Sequence, residues 1–226
     1  MKKQNASYSP SRHSLVLISP PNQLTLLRIL LTPFFVVLLF SDDPVHKQIA
    51  LAIFIFAAIT DWYDGYVARR WGYITRWGKF LDPLADKVLT SAAFISFVTI
   101  GYADAWMVWV IVIRDFLVTG LRSYAEYKNK PIDTSKLAKT KTFVQLVVIY
   151  LFLTRYIVYS SPGLSQTFGS FFDVVAAPPS MFFLMFVATL LTAVTGIFYG
   201  ITNWNILQEI FSRTNDGTTT DREQST

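Results

Sequence analysis

Charged residues cut short almost every apolar stretch of this chain, and in each case they sit near one end of the stretch. A helix crossing a bilayer takes about 20 apolar residues. The uncharged runs Ile29 to Ser41, Gln48 to Thr60, Val88 to Ala103 and Thr142 to Thr154 all fall short of that. Only Val174 to Gln208 suffices alone, and Pro178 with Pro179 predicts a helix start near Ser180. The other runs reach spanning length only when ionisable residues are taken in at one end: Arg28, then Asp61 and Asp64, Asp82 and Asp86, Arg114 and Arg122, Lys139 and Lys141. Composition excludes a soluble domain, with 52% hydrophobic, 16% aromatic and 15% charged residues and a mean hydropathy of +0.38. The pattern predicts an all-α integral membrane protein, a six-transmembrane-helix bundle with helices over 22–40, 47–70, 79–102, 105–128, 135–158 and 181–207.

An even number of spans puts both termini on one side. Placing them in the cytosol puts 18 of the 20 Lys and Arg on that side and leaves Lys47 and Arg155 on the other, as the positive-inside bias requires. The charge-interrupted helix ends then converge on one cytosol-facing chamber of a multi-pass cell-membrane protein. Residues 1–20 read as a cytosolic extension, 21–210 as the helical domain and 211–226 as a polar tail. Tyr159 to Pro179, with Pro162, Gly163 and Gly169, reads as one long non-cytosolic loop. Zero cysteines and two isolated histidines exclude a disulfide framework, a thiolate metal site and Cys- or His-based nucleophilic catalysis. The net charge of +5 faces anionic lipid headgroups in this setting, and nucleic acid is not an expected partner.

The stretch Asp61 to Lys87 carries four aspartates. Asp61 and Asp64 are three apart and Asp82 and Asp86 four apart, so each pair lies along one helix face. A carboxylate deep in a bilayer costs about 2.5 to 3.5 kcal/mol on insertion scales, and four clustered anions repel one another, so cations must offset them. One source is the basic set Arg69, Arg70, Arg76, Lys79 and Lys87, which would make a salt-bridged polar helix end. The other is metal: oxygen ligands without His or Cys suit a hard divalent ion such as Mg²⁺, and two such ions would balance four carboxylates and clamp a phosphoryl group. Small residues beside the site admit close approach of a bulky ligand.

Asp61, Asp64, Gly65, Ala68, Arg69, Gly78, Asp82 and Asp86 resemble, with matching gaps, the signature of the CDP-alcohol phosphotransferases, D-x-x-D-G-x-x-A-R followed eight residues later by G-x-x-x-D-x-x-x-D. The resemblance implies a six-helix membrane enzyme, usually a homodimer, that displaces CMP from a CDP-linked lipid with an alcohol. It implies Asp61, Asp64, Asp82 and Asp86 as ligands of Mg²⁺ or Mn²⁺, two ions in all, with Asp86 also the general base. Asp61, Gly65, Ala68, Arg69 and Gly78 would form the CDP pocket.

Arg114 and Arg122 are eight residues apart, about two helical turns, and share a face suited to gripping a phosphate. Lys139 and Lys141 open the next helix; membrane-surface anchoring is the plainer role for Lys128 and Lys130. The strings RDFLVTGLR and LAKTKT are similar to the R-E-x-x-x-T-G-L-R and L-G-K-x-K-T of the family branch whose acceptor is glycerol 3-phosphate, with Asp115 and Ala138 as departures. That likeness implies CDP-diacylglycerol and glycerol 3-phosphate as substrates and Arg114, Arg122, Lys139 and Lys141 as the acceptor-phosphate site. Inositol phosphate would demand similar cations. A divalent-cation transporter is the reading from another class, but it would carry its carboxylates near the midplane with a path to both sides.

Overall fold

The computed structural model describes residues 20–71, 76–127, 136–204 and 208, with side chains described over 26–60, 83–126, 137–204 and at 208. Seven helices run through these residues: α1 (Pro20–Leu39), α2 (Pro44–Trp71), α3 (Arg76–Ile100), α4 (Ala105–Tyr127), α5 (Lys136–Ser160), α6 (Pro162–Val175) and α7 (Pro178–Thr202). Each of the six predicted segments corresponds to a helix among the described residues, with residues 128, 135 and 205–207 of the predicted ranges outside them. The seventh, α6, occupies the stretch expected to be loop, and that expectation is corrected.

Local chemistry explains where the helices start and stop. Asp43 is the N-cap of α2: its carboxylate accepts the Val45 N–H at 2.8 Å, and Pro44, which has no N–H to satisfy, takes the first helical position. At the end of α3, Gly101 turns left-handed at φ +82°. The Tyr102 N–H donates to the Phe97 carbonyl at 2.8 Å and the Gly101 N–H to that of Val98 at 3.1 Å, the paired bonds of a Schellman stop. Proline misleads in the 159–179 stretch because it starts helices as well as breaking them. Pro162 and Pro178 both stand in first turns, so α7 begins at Pro178, before the predicted start. Ala177 between α6 and α7 is extended, φ −57° and ψ 152°, as the following proline demands.

α1 packs on α2 and α3, α4 on α3 and α7, and α5 on α7, α6 and α2. The core is aromatic: Phe35, Phe54, Phe94, Phe97 and Phe152 are fully buried, with Phe97 and Phe152 edge-to-face at 5.3 Å. The perimeter is apolar too, with Phe34, Val37, Phe143, Phe183 and Ile201 each more than 60% exposed. Water would not tolerate that many large exposed side chains, whereas lipid tails do. Among the described residues, Pro83–Ile100 of α3, Leu137–Ser160 of α5 and Pro178–Thr202 of α7 are long and apolar enough to cross a membrane. Leu26–Leu39 and Pro44–Thr60 are apolar but shorter.

Candidate active site

One cavity of about 920 Å³ opens where the first half of α3, the second half of α4, the start of α5 and the end of α7 meet. Asp86 and Lys87 come from α3, Arg114 and Arg122 from α4, Lys139 and Lys141 from α5, and Thr195 and Tyr199 from α7. Five residues singled out in the sequence, Asp86, Arg114, Arg122, Lys139 and Lys141, thus line a single cavity. Helix periodicity makes this possible: Asp86 and Lys87 flank the face that α3 turns to α4, and the eight-residue spacing of Arg114 and Arg122 keeps both on one side of α4. The other predicted site residues, Asp61, Asp64, Gly65, Ala68, Arg69, Gly78 and Asp82, lie outside the residues whose side chains are described. The backbone is helical through both aspartate pairs, which keeps Asp61 with Asp64 and Asp82 with Asp86 on common faces of α2 and α3.

Three of the cavity's cations, Lys87, Arg114 and Lys141, converge on Asp115, which is 4% exposed and lies behind the lining. Its carboxylate accepts hydrogen bonds from Lys141 and from Arg114 Nη1, the latter at 3.2 Å, and Lys87 Nζ lies 3.5 Å from its second oxygen. Lys87 stands equally close, 3.5 Å, to Asp86 and so links the network to the predicted base. Burial of Lys141, 2% exposed, and of Asp115 would be prohibitive for either alone; together, with Lys87 and Arg114 adding positive charge around the carboxylate, they form a tolerable unit, while Arg114 Nε is buried without a hydrogen-bond partner among the described residues. Arg114 is held from the other side by α7, where its Nη2 donates to Thr195 Oγ1 at 3.0 Å. Its stem lies against Gly196, where a Cβ would stand 2.9 Å from Arg114 Cγ. Gln145 Nε2 donates to Thr192 Oγ1 at 3.1 Å, fastening α5 to α7 just below.

Arg122 and Lys139 differ from this buried pair. Both are exposed at the cavity wall, and neither takes part in the ion pairs found among the described residues. The four predicted phosphate-binding cations therefore divide into two tethered ones and two available to an incoming anion. The Tyr199 hydroxyl, also at this wall, is buried without a hydrogen-bond partner among the described residues.

Sequence reasoning offered Lys87 as an ion-pair partner of the aspartates, and the structure pairs it with Asp86; it missed the roles of Asp115, Thr195, Gly196 and Tyr199. Two signals pointed to them. A buried arginine with an acidic neighbour in sequence implies a local counter-charge, and the Gly196-x-x-x-Gly200 spacing in an apolar helix marks a close approach.

A carboxylate beside a group of cations is an arrangement suited to a phosphorylated ligand. Residues 18–204 match the sequence model of the family described as CDP-alcohol phosphatidyltransferase. A Bacillus subtilis relative is 37% identical over 200 residues, 83% of this chain and 96% of its own. A Rickettsia bellii relative is 33% identical over 179 residues, covering 79% and 92%, and one from Salmonella typhimurium is 40% identical over 140 residues, covering 60% and 76%. All three carry the name CDP-diacylglycerol–glycerol-3-phosphate 3-phosphatidyltransferase. With the match running over nearly the whole described helical bundle, from α1 to the end of α7, the chain belongs to the CDP-alcohol phosphatidyltransferase family.

Proposed function

We propose that this protein transfers the phosphatidyl group of CDP-diacylglycerol to glycerol 3-phosphate, giving phosphatidylglycerophosphate and CMP. The observation that carries the reading is the cavity in which Asp86 faces a set of cations large enough for a second phosphorylated substrate. The acceptor's phosphate meets Arg122 and Lys139 at the wall, while Arg114 and Lys141, fixed by Asp115, supply a preorganised positive floor. The acceptor hydroxyl loses its proton to Asp86, and its oxygen forms a bond to the phosphorus that bears diacylglycerol. The bond from that phosphorus to the bridging oxygen breaks, and CMP leaves with the electron pair. Positioning and charge do most of this work, as in phosphoryl transfer generally.

The donor set fits a hard divalent ion. It offers carboxylate oxygens without His or Cys, and the described member, Asp86, is partly exposed to the cavity with Lys87 as its described ion-pair partner. Asp61, Asp64, Asp82 and Asp86 would hold two ions, Mg²⁺ or Mn²⁺, which supply Lewis-acid polarisation of the diphosphate. Asp61, Gly65, Ala68, Arg69 and Gly78 would receive the CDP moiety. The same proposal includes six spans over a catalytic domain of 21–210, both termini in the cytosol at the cell membrane, and a homodimer; its support is the 18-to-2 partition of basic residues and the signature.

The test is mass-spectrometric identification of the lipid formed by the full chain, in nanodiscs, from CDP-diacylglycerol and each of glycerol 3-phosphate, inositol phosphate, glycerol and serine. Phosphatidylglycerophosphate with equimolar CMP is expected. Use of inositol phosphate with no use of glycerol 3-phosphate would overturn the acceptor and leave the reaction class in place.

A further inference from the structure

At the end of the bundle away from the cavity, α6 carries three distinct stripes. Gly169, Phe172 and Ala176 are buried. Phe168, Phe171 and Val175, at the same i, i+3, i+7 spacing, are 50%, 58% and 40% exposed. Gln166, Ser170 and Asp173 form an exposed polar stripe on the remaining side. A helix lying on a soluble protein needs two faces, one buried and one wet; a third, apolar and unburied, calls for another partner.

We propose that α6 lies in the plane of the membrane and inserts Phe168, Phe171 and Val175 into the headgroup-to-acyl boundary of the leaflet opposite the cavity. Its length excludes a crossing: 14 residues rise about 21 Å against a hydrocarbon core of about 30 Å. Its neighbours α5 and α7 are both long enough to cross, so the segment joining them stays at one bilayer surface. Along α5, the 22 steps from Leu137 at the cavity to Tyr159 beneath α6 rise about 33 Å, one hydrocarbon thickness.

The moorings also belong to a membrane boundary. Arg155 stacks on Tyr159 at 4.5 Å and donates from Nη1 to the Phe172 carbonyl at 3.2 Å. The Tyr159 hydroxyl donates to the Asp173 carboxylate, and Lys47 lies 4.9 Å over Tyr156. Amphipathic rings holding cations are the composition of the headgroup level. Early in α7, Phe182 and Phe183 are likewise 54% and 64% exposed. A second copy of the chain is the lesser fit, since three partly exposed side chains offer on the order of 300 Å², well short of the roughly 800 Å² per partner in a stable interface.

Because the chain has no cysteine, single nitroxide labels can be placed at Phe171→Cys and Ser170→Cys in the full protein, reconstituted in vesicles of phosphatidylethanolamine and phosphatidylglycerol. Collision rates with oxygen and with a water-soluble nickel chelate then read depth. The label at 171 is expected to favour oxygen and the label at 170 the chelate, with ratios differing several-fold. Phe168→Cys and Gln166→Cys repeat the comparison one turn away should either first variant fail to assemble. Equal chelate access at both stripes would overturn the proposal in favour of a solvated helix. Shielding of 171 and 168 from both probes would overturn it in favour of a protein contact. The readout is independent of catalysis, so it stands whichever acceptor the enzyme uses.

Discussion

Replacing Gly196 with alanine should damage acceptor use while sparing the fold. The added Cβ would stand 2.9 Å from Arg114 Cγ and 3.4 Å from its Nε, whereas carbon atoms pack at about 3.5 to 4.0 Å. The arginine stem must therefore retreat by at least about 0.6 Å. Its guanidinium has little slack, being held by Asp115 at 3.2 Å and Thr195 at 3.0 Å. A shift of that size takes one of these bonds past hydrogen-bonding range. Losing one charge-assisted bond costs about 1.5 to 3 kcal/mol, or about 10-fold to 150-fold in kcat/KM if it holds the acceptor's phosphate site in shape. Helix propensity acts in the opposite direction, since alanine favours a helix over glycine by about 1 kcal/mol. The expected pattern is a folded protein with Tm little changed and a large fall in kcat/KM for glycerol 3-phosphate. CMP release at saturating CDP-diacylglycerol, with glycerol 3-phosphate varied, measures the first quantity and thermal unfolding in detergent the second. Wild-type kcat/KM would refute the seat assigned to Arg114, and a fall in activity matched by a collapse in Tm would refute its functional reading.

Asp115→Asn should remove the counter-charge of Lys87, Arg114 and Lys141 and cost about 3 to 5 kcal/mol of stability, as breaking a buried pair does; Asp115→Glu keeps the charge and should retain most of the lost Tm. Chelation should abolish turnover and Mg²⁺ or Mn²⁺ restore it, while Asp64→Asn, Asp82→Asn and Asp86→Asn should be inactive but folded; substantial turnover by any of the three at saturating Mg²⁺ would sink the metal assignment for that residue. Arg122→Ala should raise KM for glycerol 3-phosphate far more than for CDP-diacylglycerol, by about 10-fold or more, and Arg69→Ala should do the reverse. Equal effects of either variant on both substrates would dissolve the division between the two pockets.

The chain's polar punctuation and its helix periodicity were enough to set out the six long helices, to collect Asp86, Arg114, Arg122, Lys139 and Lys141 as one candidate site, and to recognise the family from eight spaced residues. These are properties of single helices: a spacing of three, four or eight places side chains on one face whatever lies opposite. What a face meets is another matter. That Asp115 binds Lys87 and Lys141, the latter 26 residues away, depends on how α3, α4 and α5 are rotated about their axes. That Gly196 makes room for Arg114 depends on how closely α7 approaches α4. The helix α6 was hidden for a different reason, because Pro162, Gly163 and Gly169 carry the same local signal in a helix start packed on a neighbour as in a loop. Sequence spacing determined which charges travel together, and tertiary packing alone decided which of them are tied down in the ion pairs found among the described residues, because pairing energy in a buried site depends on contacts that only the assembled helices bring within reach.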